Sequence, residues 1–363
     1  MRSAEQSSIS PRRGRGLRTG WTTGTCASAA AKAAALGLVT GTVPTLVDVA
    51  LPDGRRVELA VEVDGTTTRA VVVKDAGDDP DCTHGAHVTA SVDWVAAGAT
   101  GPELRAGPGV GTITKPGLGL AVGDPAINPV PRRMIGAALA EVTDRPVRVT
   151  FSVPDGEAMA AKTTNDRLGI LGGISILGTT GVVRPFSTAA YRASVVQQVD
   201  VAAAQGETAI VLATGSRSEQ AALGLLPQLD PVCVVEVGDF TGIALRRAAA
   251  AGMRRAVLVA MAGKITKLAA GVMMTHFHRS KVDNDLMARV AREASAPPPV
   301  VAAATATATA RHFFEACRAQ DFATPLAALC REARASCEAH VEGRLAVEVW
   351  MVDFDGAEVV ARA

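Results

Sequence analysis

Four aspartates and a histidine fall within ten residues at Asp75-Ala76-Gly77-Asp78-Asp79-Pro80-Asp81-Cys82-Thr83-His84. Side chains of these types accept, hold or orient protons, so Asp75, Asp79 and His84 are candidate acid–base groups at a ligand edge. The same run also reads as a turn crowded with solvated aspartate. Cys82, His84 and His87 do not have the spacing of a zinc site, and no metal ligand is assigned. A second candidate group is cationic. Lys264 and Lys267 fall in the first turn expected of a helix, where the macrodipole disfavours positive charge unless an anion sits there too. Thr22, Thr23 and Thr25 lie where the loop Arg18-Thr19-Gly20-Trp21-Thr22-Thr23-Gly24-Thr25-Cys26 runs into an alanine-rich helix. Hydroxyls and free N–H groups together suit an anion, with simple capping by Thr23 or Thr25 as the plainer alternative. His276 and His278, two apart in a polar segment, suit solvation or substrate contact better than a metal.

Elements must hold these residues in place. The alanine-rich helix is expected to end near Gly37. Alternating runs at Leu46–Leu51 and Val57–Val63 flank the turn Pro52-Asp53-Gly54, a hairpin signal. Ala70–Val73 is another strand, ending at the aspartate-rich loop. The segment Gly107–Arg133, rich in glycine and proline, reads as an irregular rigid loop ending on Arg132 and Arg133. It lacks the strand and helix that would frame a nucleotide fingerprint. A helix (Met134–Val142) and a strand (Val147–Val153) close this half, which is an α+β pattern.

Lys162–Pro185, KTTNDRLGILGGISILGTTGVVRP, is where the character of the chain changes. It carries no charge between Arg167 and Arg184, and it has glycine at 169, 172, 173, 178 and 181. Such a run lets backbone approach another segment or a ligand. It is too short and glycine-rich for a membrane span. It reads as the seam between two domains, 17–185 and 186–363, and as the floor of a ligand cleft. Beyond it a helix (Thr188–Ala204) precedes three strand–loop–helix units with apolar strands at Thr208–Ala213, Val232–Val237 and Ala256–Ala260. Continuous apolar strands indicate a parallel sheet covered on both faces, hence a Rossmann-like α/β domain with a mainly parallel sheet. Ser216-Arg217-Ser218-Glu219 reads as a capping box. Helices at 311–319 and 325–341 follow a low-complexity run at 295–310. A hairpin (Leu345–Val352, Glu358–Ala361) closes the chain.

Composition bounds the partners. Lys plus Arg (37) nearly balance Asp plus Glu (36), and aromatic residues are 3%. No global field or stacking platform favours nucleic acid. The six cysteines form no CxxC pair and read as reduced core residues of a cytoplasmic protein. Residues 1–16 have no apolar signal-peptide core and read as a tail.

Six segments in order, RTGWTTGTCASAAAKAA, KDAGDDPDCTHG, TKPGLGLAVGDPAINPVPRR, KTTNDRLGILGGISILGTTGVVRP, VEVGDFTG and GKITKLAAGVMMTH, closely resemble the cobalt-precorrin-5B C1-methyltransferase family of anaerobic cobalamin (vitamin B12) biosynthesis. The resemblance runs from about Leu17 to about Asp285. It implies methyl transfer from S-adenosylmethionine to C1 of a ring-contracted cobalt corrinoid, giving cobalt-precorrin-6A, by a two-domain protein with a Rossmann-like second domain. The cobalt belongs to the substrate. A non-catalytic corrinoid carrier that hands intermediates between enzymes of the pathway is the alternative, and only the enzyme needs a pocket for the methyl donor. Met261 stands where many members have histidine, and His278 and Arg279 lie where shorter, more polar sequences are common. A corrinoid's carboxylates call for fixed cations, here Arg132, Lys162, Arg167, Arg184, Lys264 and Lys267. Within the matching segments Thr22, Thr23, Thr25, Lys115, Asn128, Thr163, Asn165, Gly172, Gly173, Thr179, Thr180 and His276 are further candidate substrate contacts. Thr214, Gly215, Ser216, Gly238, Asp239, Gly263 and Lys264, at strand ends, are candidates for the methyl donor, with Asp239 on its ribose.

Overall fold

A helix that is apolar on every side has to be buried. The computed structural model describes residues 16–95, 101–276, 282–306 and 309–363. The tail at 1–15 and the expectations for His278 and Arg279 lie outside the described residues. After the short strand β1 (Gly20–Trp21) comes α1 (Thr23–Thr40), with every alanine from Ala27 to Ala35 buried. The N-cap is Thr22, not Thr23 or Thr25, and its Oγ1 accepts from Thr25 N at 3.2 Å. The helix also continues past Gly37 to Thr40. Gly37 is a packing glycine, because a Cβ there would lie 2.1 Å from Thr67 O.

The chain forms two compact units. The first runs to Ile113 and adds Gly123–Asp166 and Ile170–Ser187. In it β2 (Leu46–Ala50) and β3 (Arg56–Ala60) make the expected hairpin, and β4 (Arg69–Val73) follows. The strands β5 (His87–Trp94) and β6 (Glu103–Ala106) are not evident in the sequence, where polar residues interrupt their apolar pattern. The expected loop at 107–133 contains β7 (Gly109–Val110) and β8 (Thr112–Ile113). The helix α2 (Pro129–Ala140) starts five residues before Met134, with its prolines at the N-terminal positions that need no N–H donor. Arg132 and Arg133 therefore stand on a helix and not at a loop end. β9 (Val147–Ser152) completes a sheet of order β4-β5-β9-β6, and α3 (Gly156–Ala160) follows. α1 packs against α2, β4 and β5, and alanine is what allows backbone to come so close on each side.

The glycine-rich stretch is woven into this unit. β10 (Ile170–Leu171) pairs antiparallel with β8, and β11 (Gly173–Ile174) pairs parallel with β7. Ile176 bridges Ile127, and β12 (Val182–Val183) pairs antiparallel with β1. A Cβ on Gly173 would lie 2.1 Å from the backbone of Gly109, whereas nothing lies within 4 Å of one on Gly172.

One cation interrupts the apolar surface of α1. Lys32 Nζ donates to Asp48 O (2.8 Å), Asp48 Oδ1 (3.0 Å) and Glu141 Oε2 (2.6 Å), and Arg56 bridges the same two carboxylates. Bonds from Arg56 and then Lys32 hold both carboxyls down at about 2.

The second unit comprises Thr114–Val122, Arg167–Gly169 and the chain from Thr188 onward. Its elements are α4 (Thr188–Ala204), β13 (Ala209–Ala213), α5 (Ser216–Leu225), β14 (Val234–Glu236), α6 (Thr241–Ala250), β15 (Arg255–Ala260) and α7 (Ala262–Ala269). Then follow α8 (Asn284–Glu293), α9 (Pro298–Ala306), α10 (Ala310–Ala319), α11 (Thr324–His340), β16 (Ala346–Val352) and β17 (Val359–Arg362). The sheet order is β14-β13-β15-β16-β17. The first four strands are parallel, and β17 is antiparallel to β16. The closing hairpin therefore extends the sheet. The overall content is mixed α/β. The connection from β13 runs outward to β14, and the next runs back across to β15. Right-handed crossovers then put α5 and α6 on opposite faces. The capping box does not form: α5 starts after Gly215, and Glu219 Oε1 accepts from Arg167 Nη1 at 2.6 Å instead.

Two measurements test these packing arguments. Gly173→Ala should lower the urea midpoint severely or prevent folding, while Gly172→Ala should cost about 1–2 kcal/mol for its positive φ alone; equal costs would contradict the backbone contact. For the ion network the folded carboxyl values are lowered, so its contribution is present above about 4 and is lost as the pH falls toward 2. The melting temperature of the wild type should drop more steeply across that window than that of Glu141→Gln.

Candidate functional site

Each unit carries one group of the expected residues. In the first unit β4 delivers Lys74, whose side chain is buried at 1% exposure, to Asp81 Oδ2 at 2.6 Å. Burial pushes the Asp81 carboxyl up, but the bonds from Lys74 and Thr83 more than offset this and hold it below the ordinary range. This buried pair fixes the loop that follows. Asp75 accepts both Nη groups of Arg18 and the N–H of Gly77, and the Arg18 bond chiefly lowers its carboxyl value. His84 Nδ1 accepts from Ala76 N at 3.1 Å, which assigns the ring proton to Nε2. Asp79 Oδ1 accepts from Phe186 N at 2.9 Å. The loop thus brings His84 Nδ1 within 3.8 Å of Asp75 Oδ1, and Asp75, Asp79 and His84 are each already bound on one side by the protein.

The three threonines at the start of α1 face inward. Thr23 Oγ1 donates to Ser175 O or Leu177 O (3.3 and 3.2 Å) and accepts from Leu177 N at 2.8 Å. Thr25 Oγ1 donates to Gly181 O at 2.7 Å and lies 3.1 Å from Thr22 Oγ1. Their hydroxyls serve the glycine-rich stretch. Asn165 Nδ2 donates to Gly173 O at 3.2 Å, and Thr163 Oγ1 to Ala160 O at 2.7 Å. Arg132 is held by Ile127 O, Asp124 and Pro125 O, and the side chain of Asn128 makes no capping bond to α2. Lys162, Gly172, Thr179, Thr180 and Arg184 are exposed.

In the second unit the expected residues lie at the carboxyl ends of β13, β14 and β15. Thr214, Gly215 and Ser216 follow β13, Gly238 and Asp239 follow β14, and Gly263 and Lys264 follow β15. Nothing lies within 4 Å of a Cβ built on Gly215 or on Gly263. Lys264 Nζ donates to Gly238 O at 3.0 Å and pairs with Asp239. Thr275 Oγ1 donates to Asp239 Oδ1 at 3.1 Å, and Lys267 Nζ donates to Thr275 O at 3.0 Å. For Asp239 burial raises the carboxyl value, but Lys264 and Thr275 outweigh it and the net direction is down. Burial, then Lys264, push the Lys267 ammonium down. The carboxylate thus balances Lys264 in the first turn of α7 from within the protein; Lys267, expected in that turn as well, stands in the last turn of the helix. Lys115 Nζ lies 3.7 Å from Asp230.

Residues that the sequence reading passed over also shape this edge. Tyr191, the single tyrosine of the chain, donates from its hydroxyl to Glu236 O at 3.2 Å and packs its ring against Gly238 and Phe240. Glu236, raised by burial and then by Glu219, lies beside the Arg167–Glu219 pair. A lone tyrosine in a chain so poor in rings was the available signal. Burial lifts the thiols of Cys26, Cys233, Cys317, Cys330 and Cys337 up to about 12, so they are not nucleophiles. Among the described residues no group of three or more His, Cys, Asp or Glu side chains is placed to hold a metal ion, and no helix is long and apolar enough to cross a membrane.

The chain is similar to known proteins. A family model described as CbiD matches residues 10–185, and one described as CbiD, C-terminal domain, matches residues 274–363. A protein of Salinispora arenicola named cobalt-precorrin-5B C(1)-methyltransferase is 58% identical over 95% of this chain and 92% of its own. Proteins of the same name from Rubrobacter xylanophilus and Thermus thermophilus are 55% and 47% identical, over 96% and 97% of this chain and 92% and 95% of their own. A crystal structure of a cobalamin biosynthesis protein (cbiD) from Archaeoglobus fulgidus is 30% identical, covers 76% of this chain and 84% of that one, and gives a TM-score of 0.41.

The Asp239–Lys264 pair is testable by itself. In a double-mutant cycle with Asp239→Asn and Lys264→Met, urea unfolding should give a coupling energy of about 0.5–1.5 kcal/mol. A coupling near zero would mean that the pair does not fasten the loops after β14 and β15 to each other.

Proposed function

This chain belongs to the CbiD family, and on that premise we propose that it transfers a methyl group from S-adenosylmethionine to C1 of cobalt-precorrin-5B, giving cobalt-precorrin-6A in cobalamin biosynthesis. The carrying observation is the relatives of that name, matched over nearly their whole length. The donor supplies an electrophilic methyl group on sulfonium, whose transfer to carbon leaves the electron pair on sulfur. The cobalt enters with the substrate.

We place the donor at the carboxyl edge of the parallel strands and read the second unit as Rossmann-like. The chain leaves β13 and β15 in opposite directions, which makes their ends a switch point of the kind that binds ligands. Gly215 and Gly263 stand at those two ends with open space beside them, so a ligand can lie against bare backbone there. Thr214, Ser216 and Gly238 line the same edge. Asp239 keeps its position through Lys264 and Thr275 and offers its remaining acceptor capacity to ribose hydroxyls. The protein's task in such a transfer is alignment of carbon and methyl group. Lys162 and Arg184 are exposed and suit the carboxylates of the corrinoid. On this reading Asp79 and the Nε2–H of His84 set its protonation. Buried, unpaired thiols fit a reducing cytoplasm. Other enzymes of the pathway are natural partners for passing on the product.

Incubation with cobalt-precorrin-5B and methyl-labelled S-adenosylmethionine tests the proposal. Label should appear in the macrocycle in proportion to enzyme. Tight corrinoid binding without label would point to a carrier instead.

A further inference from the structure

The second unit contains a cavity of about 670 Å³ that none of the expected site residues lines. Its walls are the N-terminal half of α4, the start of α6 and Met273–Met274. Ala189, Ala193, Val196, Phe240 and Ile243 make it largely apolar, and Arg192 and Arg246 bring two guanidinium groups to it. The volume is that of a small-ligand site. The two arginines differ in their ties. Arg246 Nη1 lies 2.8 Å from His340 Nε2, which holds its position. Among the described residues Arg192 makes no ion pair or hydrogen bond. No aspartate or glutamate is among the lining residues. An apolar hollow with two cations that no carboxylate of its described lining residues neutralises selects a ligand with an apolar body and negative arms.

One wall of the cavity also adjoins the edge described above. Phe240 follows Asp239 directly and packs on Tyr191. Gly242 N donates to Met273 O at 3.1 Å, and Thr275 N donates to Asp239 O at 3.2 Å, so the two wall segments are bonded to each other beside Asp239. A Cβ on Gly242 would lie 2.6 Å from Met273 Cβ, which explains glycine at that wall.

We infer that this cavity holds one carboxylate-bearing edge of the corrinoid, with Arg192 and Arg246 on its acidic arms and Phe240, Ile243 and Met273 against its apolar rim. The inference rests on the corrinoid reading of the preceding subsection and adds a substrate subsite to it. The sulfonium donor carries a positive charge of its own, and two arginines make the cavity unsuitable for it. Arg192 and Arg246 are binding residues in this scheme and take no part in bond making.

The test uses the full chain and two stable probes, cobyrinic acid with free carboxylate arms and its methyl ester, titrated by visible absorption. The wild type should prefer the acid. Arg192→Ala should weaken the acid about 10-fold or more and the ester little, as expected for loss of a charged hydrogen bond. Ala193→Glu, an exposed helical position that tolerates a longer side chain, should weaken the acid further by placing a negative charge in the cavity. Both variants should keep the wild-type melting temperature and S-adenosylmethionine affinity. Unchanged affinity for the acid in both variants would overturn the inference, and so would a loss confined to S-adenosylmethionine. The two readings fail separately. Arg192-dependent binding of the acid by a wild type that transfers no label defeats methyl transfer alone. Label transfer with an unchanged KM for cobalt-precorrin-5B in both variants defeats the subsite alone.

Discussion

Backbone lying against backbone is the constraint on which the first unit depends. Segment 170–183 adds two-residue ladders to three other parts of the chain. Ladders so short contribute few hydrogen bonds, so the segment stays in place by fitting where no side chain would. Gly109, Gly156 and Gly173 meet at one point, and a Cβ on Gly109 or on Gly156 would come within 1.9 Å or 2.1 Å of a carbonyl oxygen. Each residue type in the stretch follows from this. Glycine stands where two backbones touch. Threonine hydroxyls add a donor to the carbonyls of 175, 177 and 181, the last two of which also accept the N–H of Gly24 and of Thr22. At the buried positions 173–176 a charge would be left without water.

The second unit solves its problem by the opposite means. Its sheet is covered on both faces, and its chemistry is left to the loops at one edge. Those loops are tied by polar contacts: Lys264 across to Gly238 and Asp239, Thr275 onto Asp239, and Tyr191 onto Glu236. An edge made of loops can stay open to a ligand only if the loops are fastened to each other, because loops without such ties open at low free-energy cost. The glycines at 215 and 263 are then meaningful because the packing of the protein does not require them.

Legibility followed local regularity. The three apolar strands of the second unit and α4 could be read because a buried parallel strand is a continuous apolar run and α4 is long. β5 could not, since Thr89 and Ser91 interrupt its pattern although Thr89 is buried in the sheet. The start of α2 was hidden by its prolines, which mark a helix N-terminus as readily as a loop. Glu219 looked like a cap because the spacing to Ser216 was right; a distant residue, Arg167, claimed it. The place of β16 beside β15 has no local signature at all, because pairing partners far apart in sequence are set by the fold.

The same limit applies to the charged residues, and it narrows the site. A nearly neutral chain leaves most of its cations paired, so the presence of arginine or lysine in a matching segment says little about ligand contact. Arg132, Arg167, Lys115, Lys264 and Lys267 are each held by groups of the protein, and their loss would be felt first as loosened structure. Lys162, Arg184 and Arg192 make no ion pair among the described residues. A ligand that gains attraction from any one of these displaces no internal partner, whereas one that recruits Lys264 must compete with Asp239. On the proposed reading, recognition of acidic arms therefore falls to cations without an internal partner, while Lys264 fastens the loops after β14 and β15 to each other.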